Sequence, residues 1–127
     1  NFDLINLIHP KSIISKNSKL GKNILINAGA IINSNVLIEN NCIINTGCII
    51  EHDVQIQKNT HICPGVKIAG SVNIGENVFV GIGSSIINNI KIGKNVIVGA
   101  GSVVIKNISP NINVAGVPAK KLKKNKN

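Results

Sequence analysis

From Ile8 to Val104 every sixth residue is aliphatic, seventeen positions of Ile, Leu or Val without an insertion. Four residues after each stands a second column, Ser12 to Ile108, which is small or β-branched throughout. Three residues after each comes a third, Lys11 to Asn107, in which fifteen of seventeen members are Asn, Gly or Asp. Those residues tolerate left-handed backbone, and only Lys11 and Ser71 depart. A period of six fits no helix. It predicts a short in–out–in strand, a sharp corner and then the next strand. Gly29, Gly47, Gly65, Gly83 and Gly101 recur every eighteen residues, so three hexads close one triangular coil and these glycines stack along one edge. At the ~4.8 Å strand spacing, about five to six coils make a prism roughly 25–30 Å long. The expected organisation is a β-helix over 8–109, with a linker at 1–7 and a C-terminal loop and basic tail at 110–127.

The outward residue at each strand centre describes the faces. One carries Lys19, Leu37, Gln55, Asn73, Lys91 and Ser109, which suits water. Another carries Ile13, Ile31, Ile49, Lys67, Ser85 and Val103, and the last Leu25, Ile43, His61, Phe79 and Ile97. The prism's interior is already filled by the inward columns, so two apolar outer faces imply burial against other chains. Different faces meeting head to tail close a ring, and for triangular prisms the expected count is three.

Composition narrows this further. Hydrophobic residues are 43% but aromatics only 2%, as suits a thin core of β-branched aliphatics. The formal charge of +9 is carried entirely by Lys. Without Arg to fork onto guanine or aromatic surface for bases, nucleic acid is not the expected partner. Five of the lysines crowd into "AKKLKKNKN", a solvated or phosphate-facing tail. Three Cys form no disulfide framework and point to a reducing cytoplasm. No signal peptide or membrane span is legible. The chain has no Met and is expected to be processed or part of a longer protein.

One stretch breaks the habit of the chain. "NTGCIIEHDVQI" sets Glu51, His52 and Asp53 side by side, three of only eight acidic residues and histidines. Asp53 occupies the corner column, where Asp is also a turn former, and Glu51 precedes the corner and reads as solvated. His52 has Ser34 and Gly70 as its counterparts one coil away, and nothing about a corner asks for imidazole. His61 stands outward on an apolar face between Ile43 and Phe79. Either histidine alone could be a satisfied interface residue. Within one chain they lie on opposite sides of the prism, on the order of 10–15 Å apart. They can therefore share a site only across a subunit boundary, where proton transfer is plausible chemistry.

The uninterrupted hexads, the "EHD" corner, a His nine residues after His52 and "GAGSVV…AGVPAK" together resemble the sialic-acid and bacillosamine-type sugar acetyltransferases. The resemblance covers essentially the whole chain. It implies a left-handed parallel β-helix, a hand that runs against the usual crossover rule. It also implies direct, acetyl-CoA-dependent transfer to an amine or hydroxyl of a nucleotide-activated amino sugar or sialic acid in bacterial glycan biosynthesis. By the same resemblance His52 is the general base and Asp53 raises its basicity. His61 contacts acetyl-CoA, Gly70 offers its N–H to the thioester oxygen, and Ile82 and Ala100 line the pantetheine path. Members of that group usually carry an N-terminal Rossmann-like sugar-binding domain, and "NFDLINLIHPKS" then reads as the linker from it; the alternative is that this chain binds its acceptor differently.

Rival readings are weaker. Cys42 and Cys48 lie in the inward column as compact hydrophobes. Cys63, at a corner and more exposed, carries no sign of activation. A metal hydrolyase would need three converging His, and His9 is more than two coils from His52. An ice-binding face would need outward Thr ladders, and the chain has only Thr46 and Thr60. The remaining alternative is a non-catalytic trimeric scaffold.

Overall fold

A computed structural model describes residues 3–124. It is all-β among those residues, with nineteen short strands from Leu7–Ile8 to Lys120–Lys121, nearly all of two residues. They form three sheets, a first carrying His61 and Phe79, a second carrying Ile13 and Lys67 and a third carrying Lys19 and Asn73. From Leu7–Ile8 to Val103–Val104 each strand pairs in parallel with the strand eighteen residues away, as His61 does with Ile43 and Phe79. The result is a three-sided parallel β-solenoid of about six turns, the prism expected from the hexads.

Side-chain alternation on two-residue strands decides what is inside. From Ile26 to Val104 every first-column residue is buried, and so is every second-column residue from Ile24 to Ile108. The polar members of the second column are satisfied in place: the Thr60 hydroxyl donates to Gly75 O at 2.9 Å and Ser84 to Gly99 O at 3.0 Å. At the corners every third-column residue from Asn23 to Gly101 has a positive φ, between 55° and 73°. Ser71 adopts it too (φ 61°), although its residue type departs from the column. Its neighbours in the stack impose the turn, and a single αL residue costs little enough to be imposed.

The last coil differs from the hexad register. Ile92 bridges Ile108 and Ile97 pairs with Asn113, both sixteen residues apart rather than eighteen. The corner after Val104 is two residues shorter, and Asn107 is not left-handed; its side-chain Oδ1 instead accepts from Lys91 N–H at 2.8 Å. The first sheet then continues into the segment expected to be loop and tail. Asn113–Ala115 stacks on Ile97–Val98, and Lys120–Lys121 pairs antiparallel with it. Val114 is buried there, closing the core from above. Lys126 of the basic tail lies outside the described residues. No helix in the described residues is long and apolar enough to cross a membrane.

Candidate active site

The corner between the second and third faces carries the polar stretch. Asp53 is left-handed (φ 61°); its N–H donates to Ser34 O at 3.1 Å, and His52 O accepts from Ser71 N–H at 2.9 Å. These bonds to the coils below and above pin the backbone, so both side chains project outward from the edge and are exposed. His52 Nδ1 lies 2.9 Å from Asp53 Oδ2, and Asp53 Oδ1 accepts from Asn35 Nδ2 one coil below. The Asn35 amide, and after it the His52 contact, holds the Asp53 carboxyl below the usual carboxylate range. An ionised carboxylate only accepts, so Nδ1 carries a proton toward Asp53 and Nε2 is the ring nitrogen without a protein partner.

Nε2 lies over Gly70. A Cβ built there would stand 2.5 Å from His52 Cε1 and 2.6 Å from Nε2. Gly70 is not left-handed. Its missing side chain therefore serves the close approach of the ring, not a turn. No acceptor among the described residues takes its N–H. Glu51 is not solvated as expected: it is half-buried, and its Oε2 accepts from Asn33 Nδ2 at 3.0 Å.

His61 sits on the first face, half-buried, with its ring edge-on to Phe79 at 5.3 Å between centroids and 82° between planes. Asn45, which the sequence reading left without a role, faces it, with Nδ2 3.2 Å from His61 Nε2. Asn45 Oδ1 is already taken by Asn27 Nδ2 and Thr46 N–H, both at 2.8 Å. Its amide must therefore donate to Nε2, which leaves His61 Nδ1–H as an unspent donor. Burial pushes the His61 pKa down, favouring this neutral ring. Ile82 is 58% exposed and Ala100 is exposed one coil above it, on the edge between the first and second faces.

The fold thus brings His52, Asp53 and Gly70 together and groups His61, Ile82 and Ala100 on or beside another face. It does not join the two groups within one chain. The larger hollows of the single chain lie elsewhere, one of about 560 Å³ on the third face around Asn73 and Lys91, another of about 650 Å³ beside Lys121.

Cys63 is buried, against expectation. The first corner position tucks against the coils above and below, as Asn27, Asn45, Gly81 and Gly99 do at the same edge. Burial pushes all three thiols up, Cys48 to about 11, so none is a ready thiolate. Among the described residues no three His, Cys, Asp or Glu side chains converge as a metal site.

The family profile described as "Bacterial transferase hexapeptide (six repeats)" matches residues 35–70 and 71–106. No curated protein sequence matches the chain. Among solved structures, a mutant GDP-perosamine N-acetyl transferase from Caulobacter crescentus, in complex with CoA and GDP-perosamine, is 36% identical with a TM-score of 0.96. The acetyltransferase domain of PglB from Neisseria gonorrhoeae, in complex with acetyl coenzyme A, is 32% identical with a TM-score of 0.94. WeeI from Acinetobacter baumannii is 27% identical with a TM-score of 0.86. These matches cover 97%, 95% and 91% of this chain, but only 59%, 59% and 57% of those chains.

Proposed function

The chain belongs to the bacterial transferase hexapeptide family, and we propose that within it the protein is an acetyl-CoA-dependent acetyltransferase acting on a nucleotide-linked amino sugar or sialic acid in bacterial glycan biosynthesis. The observation that carries this reading is the His52 ring, its Nδ1 on Asp53 and its Nε2 bare over the notch at Gly70. Similar solved proteins named as acetyltransferases, with CoA or acetyl-CoA bound, support it. The name of one as an N-acetyl transferase favours an amine as the acceptor group.

Acetyl-CoA, when bound, supplies a thioester carbon activated toward attack. His52 Nε2 takes the proton that the attacking amine or hydroxyl gives up, and Asp53 balances the charge that appears on the ring. The proton then passes from Nε2 to the CoA thiolate that leaves as the thioester C–S bond breaks. The unspent N–H of Gly70 and Nδ1–H of His61 are donors for a carbonyl oxygen gaining negative charge. The exposed apolar Ile82, with Ala100 one coil above it, offers a surface for the pantetheine arm.

The two groups of residues meet in a homotrimer. Phe79 and Ile97 on the first face are 42% and 47% exposed, and Ile13 on the second is 65% exposed. Packing these against neighbouring copies sets the His52 edge of one chain opposite the His61 wall of the next. That the larger hollows of one chain avoid both histidines fits a cleft closed by a second chain. We place the protein in the cytoplasm, where three free thiols suit the redox poise.

The test is acceptor-dependent release of free thiol from acetyl-CoA, using purified protein and a panel of nucleotide-linked amino sugars. Release that is abolished in His52→Ala is expected. A native protein that releases no thiol with any acceptor is the non-catalytic scaffold.

A further inference from the structure

Asn35 stands one coil below Asp53 in the same corner column, left-handed like it (φ 60°). A corner asks no more of Asn than that backbone. Yet its amide Nδ2 is spent on Asp53 Oδ1, while Asp53 Oδ2 faces His52 Nδ1 at 2.9 Å. A carboxylate has no hydrogen to donate, so the direction of the Asn35 amide is settled by chemistry. Along the edge between the third and first faces the corner ladders join amide to amide, as in Asn23 to Asn41 at 2.9 Å and Asn95 to Asn111 at 2.8 Å. At Asp53 the amide meets a charge instead, which makes a stronger and more directional bond.

We infer that Asn35 is a positioning residue for the His52–Asp53 pair: it holds one carboxylate oxygen so that the other stays on His52 Nδ1, which leaves Nε2 as the atom that takes the proton. This rests on the proposed role of His52 as base. Each carboxylate oxygen has its own donor, Asn35 Nδ2 on Oδ1 and His52 Nδ1 on Oδ2. Removing either donor frees the carboxylate to rotate, and with it the ring. The lowered Asp53 pKa has the Asn35 bond as its largest cause, consistent with an amide that favours the ionised carboxylate. The other charged or titratable groups beside the pair are few: His52 itself, and Lys19, which shares a shallow hollow with Asn35 and Asp53. Glu51 is tied to Asn33.

Two full-length variants test this. Asn35→Gly keeps the left-handed corner, as the glycines on the adjacent edge do, and removes only the amide. We expect kcat to fall about 10-fold, KM for both substrates to stay within twofold, and the melting temperature to hold. Ring-nitrogen NMR shifts should take neutral His52 from one Nδ1–H tautomer to a mixture. Asn35→Asp places a second carboxylate against the first, so one of the two titrates at raised pH. Where both are ionised they repel and kcat drops below that of Asn35→Gly. As the pH is lowered until the pair shares a proton, the shared O–H replaces the amide, and kcat relative to the parent rises. An Asn35→Gly protein with parental kcat and an unchanged tautomer would overturn the inference. So would a loss confined to acceptor KM, which would make Asn35 a substrate contact. A fully active His52→Ala enzyme would instead remove the base assignment, and the NMR tautomer would still decide whether Asn35 holds the ring.

Discussion

Gly70→Ala should inactivate the enzyme without weakening the fold. The added Cβ would lie 2.5 Å from His52 Cε1, 2.6 Å from Nε2 and 3.1 Å from Nδ1. Ordinary carbon contacts sit at about 3.5–4.0 Å, so the ring must retreat by roughly 1 Å. It can swing off Asp53 or tilt outward, and either motion moves Nε2 from its place over Gly70. A misplacement of about 1 Å in a reacting group can cost about 10²-fold in rate. Stability should not follow. The His52 side chain is 58% exposed and moves into water, Gly70 is not left-handed, and Gly→Ala at a compatible site stabilises by about 0.4–1 kcal/mol through the unfolded chain. Ala also keeps the backbone N–H. If Gly70 served only as a donor, the substitution would be harmless. The assay is acceptor-dependent thiol release beside thermal melting. We expect kcat down about 10²-fold with Tm unchanged or raised. Parental kcat, with the ring still on Asp53, would refute the reasoning.

His52→Ala should lower kcat by about 10²–10⁴-fold while the melt is unchanged; Asp53→Asn should cost less, because Asn suits the corner and its carbonyl still accepts from Nδ1. Phe79→Lys should dissociate the proposed trimer, since burying one such side chain stabilises by roughly 1.5–3 kcal/mol and a Lys there must also lose its water; sedimentation that still shows a trimer would contradict the assigned faces. The pH profile of stability follows from His61. Its folded pKa lies below the unfolded value of about 6.5, so the unfolded chain takes up the proton first. That part of the stability is present above about pH 6.5 and is lost as pH falls from there through the folded value. Melting of His61→Gln should accordingly decline less over the same acid range; parallel curves would show that His61 carries no such linkage.

The solenoid was legible because on two-residue strands position alone decides inside from outside, and the columns at Ile26 and Ile24 set the rule for every coil. The contacts between coils were not. Asn35 and Asp53 are eighteen residues apart and Asn45 and His61 sixteen, and only rotamers decide that these pairs bond. Each was signalled at most by an Asn one coil below a titratable group. The notch at Gly70 was also hidden, since a glycine in sequence does not say whether it serves a turn or a close approach. Ser71 bent where its residue type argued against it. The aliphatic pattern ran on through Ile108 even though the last corner had lost two residues, which concealed the strand at Asn113–Ala115. The depth of Cys63 and the tether of Glu51 depend on the same crowding at the first corner position, which no column of residue types records.

The most direct test of the two-chain site is complementation between inactive copies. His52→Ala and His61→Ala chains would each be shown to impair turnover alone, then unfolded, mixed in equal amounts and reassembled. Where a His61→Ala chain presents its intact His52 to the wall of a His52→Ala neighbour, one cleft holds both histidines. The mixture should release thiol in the presence of acceptor well above either parent. Mixed trimers, verified by mass, that are as inactive as their parents would place both histidines' work within one chain and contradict the account.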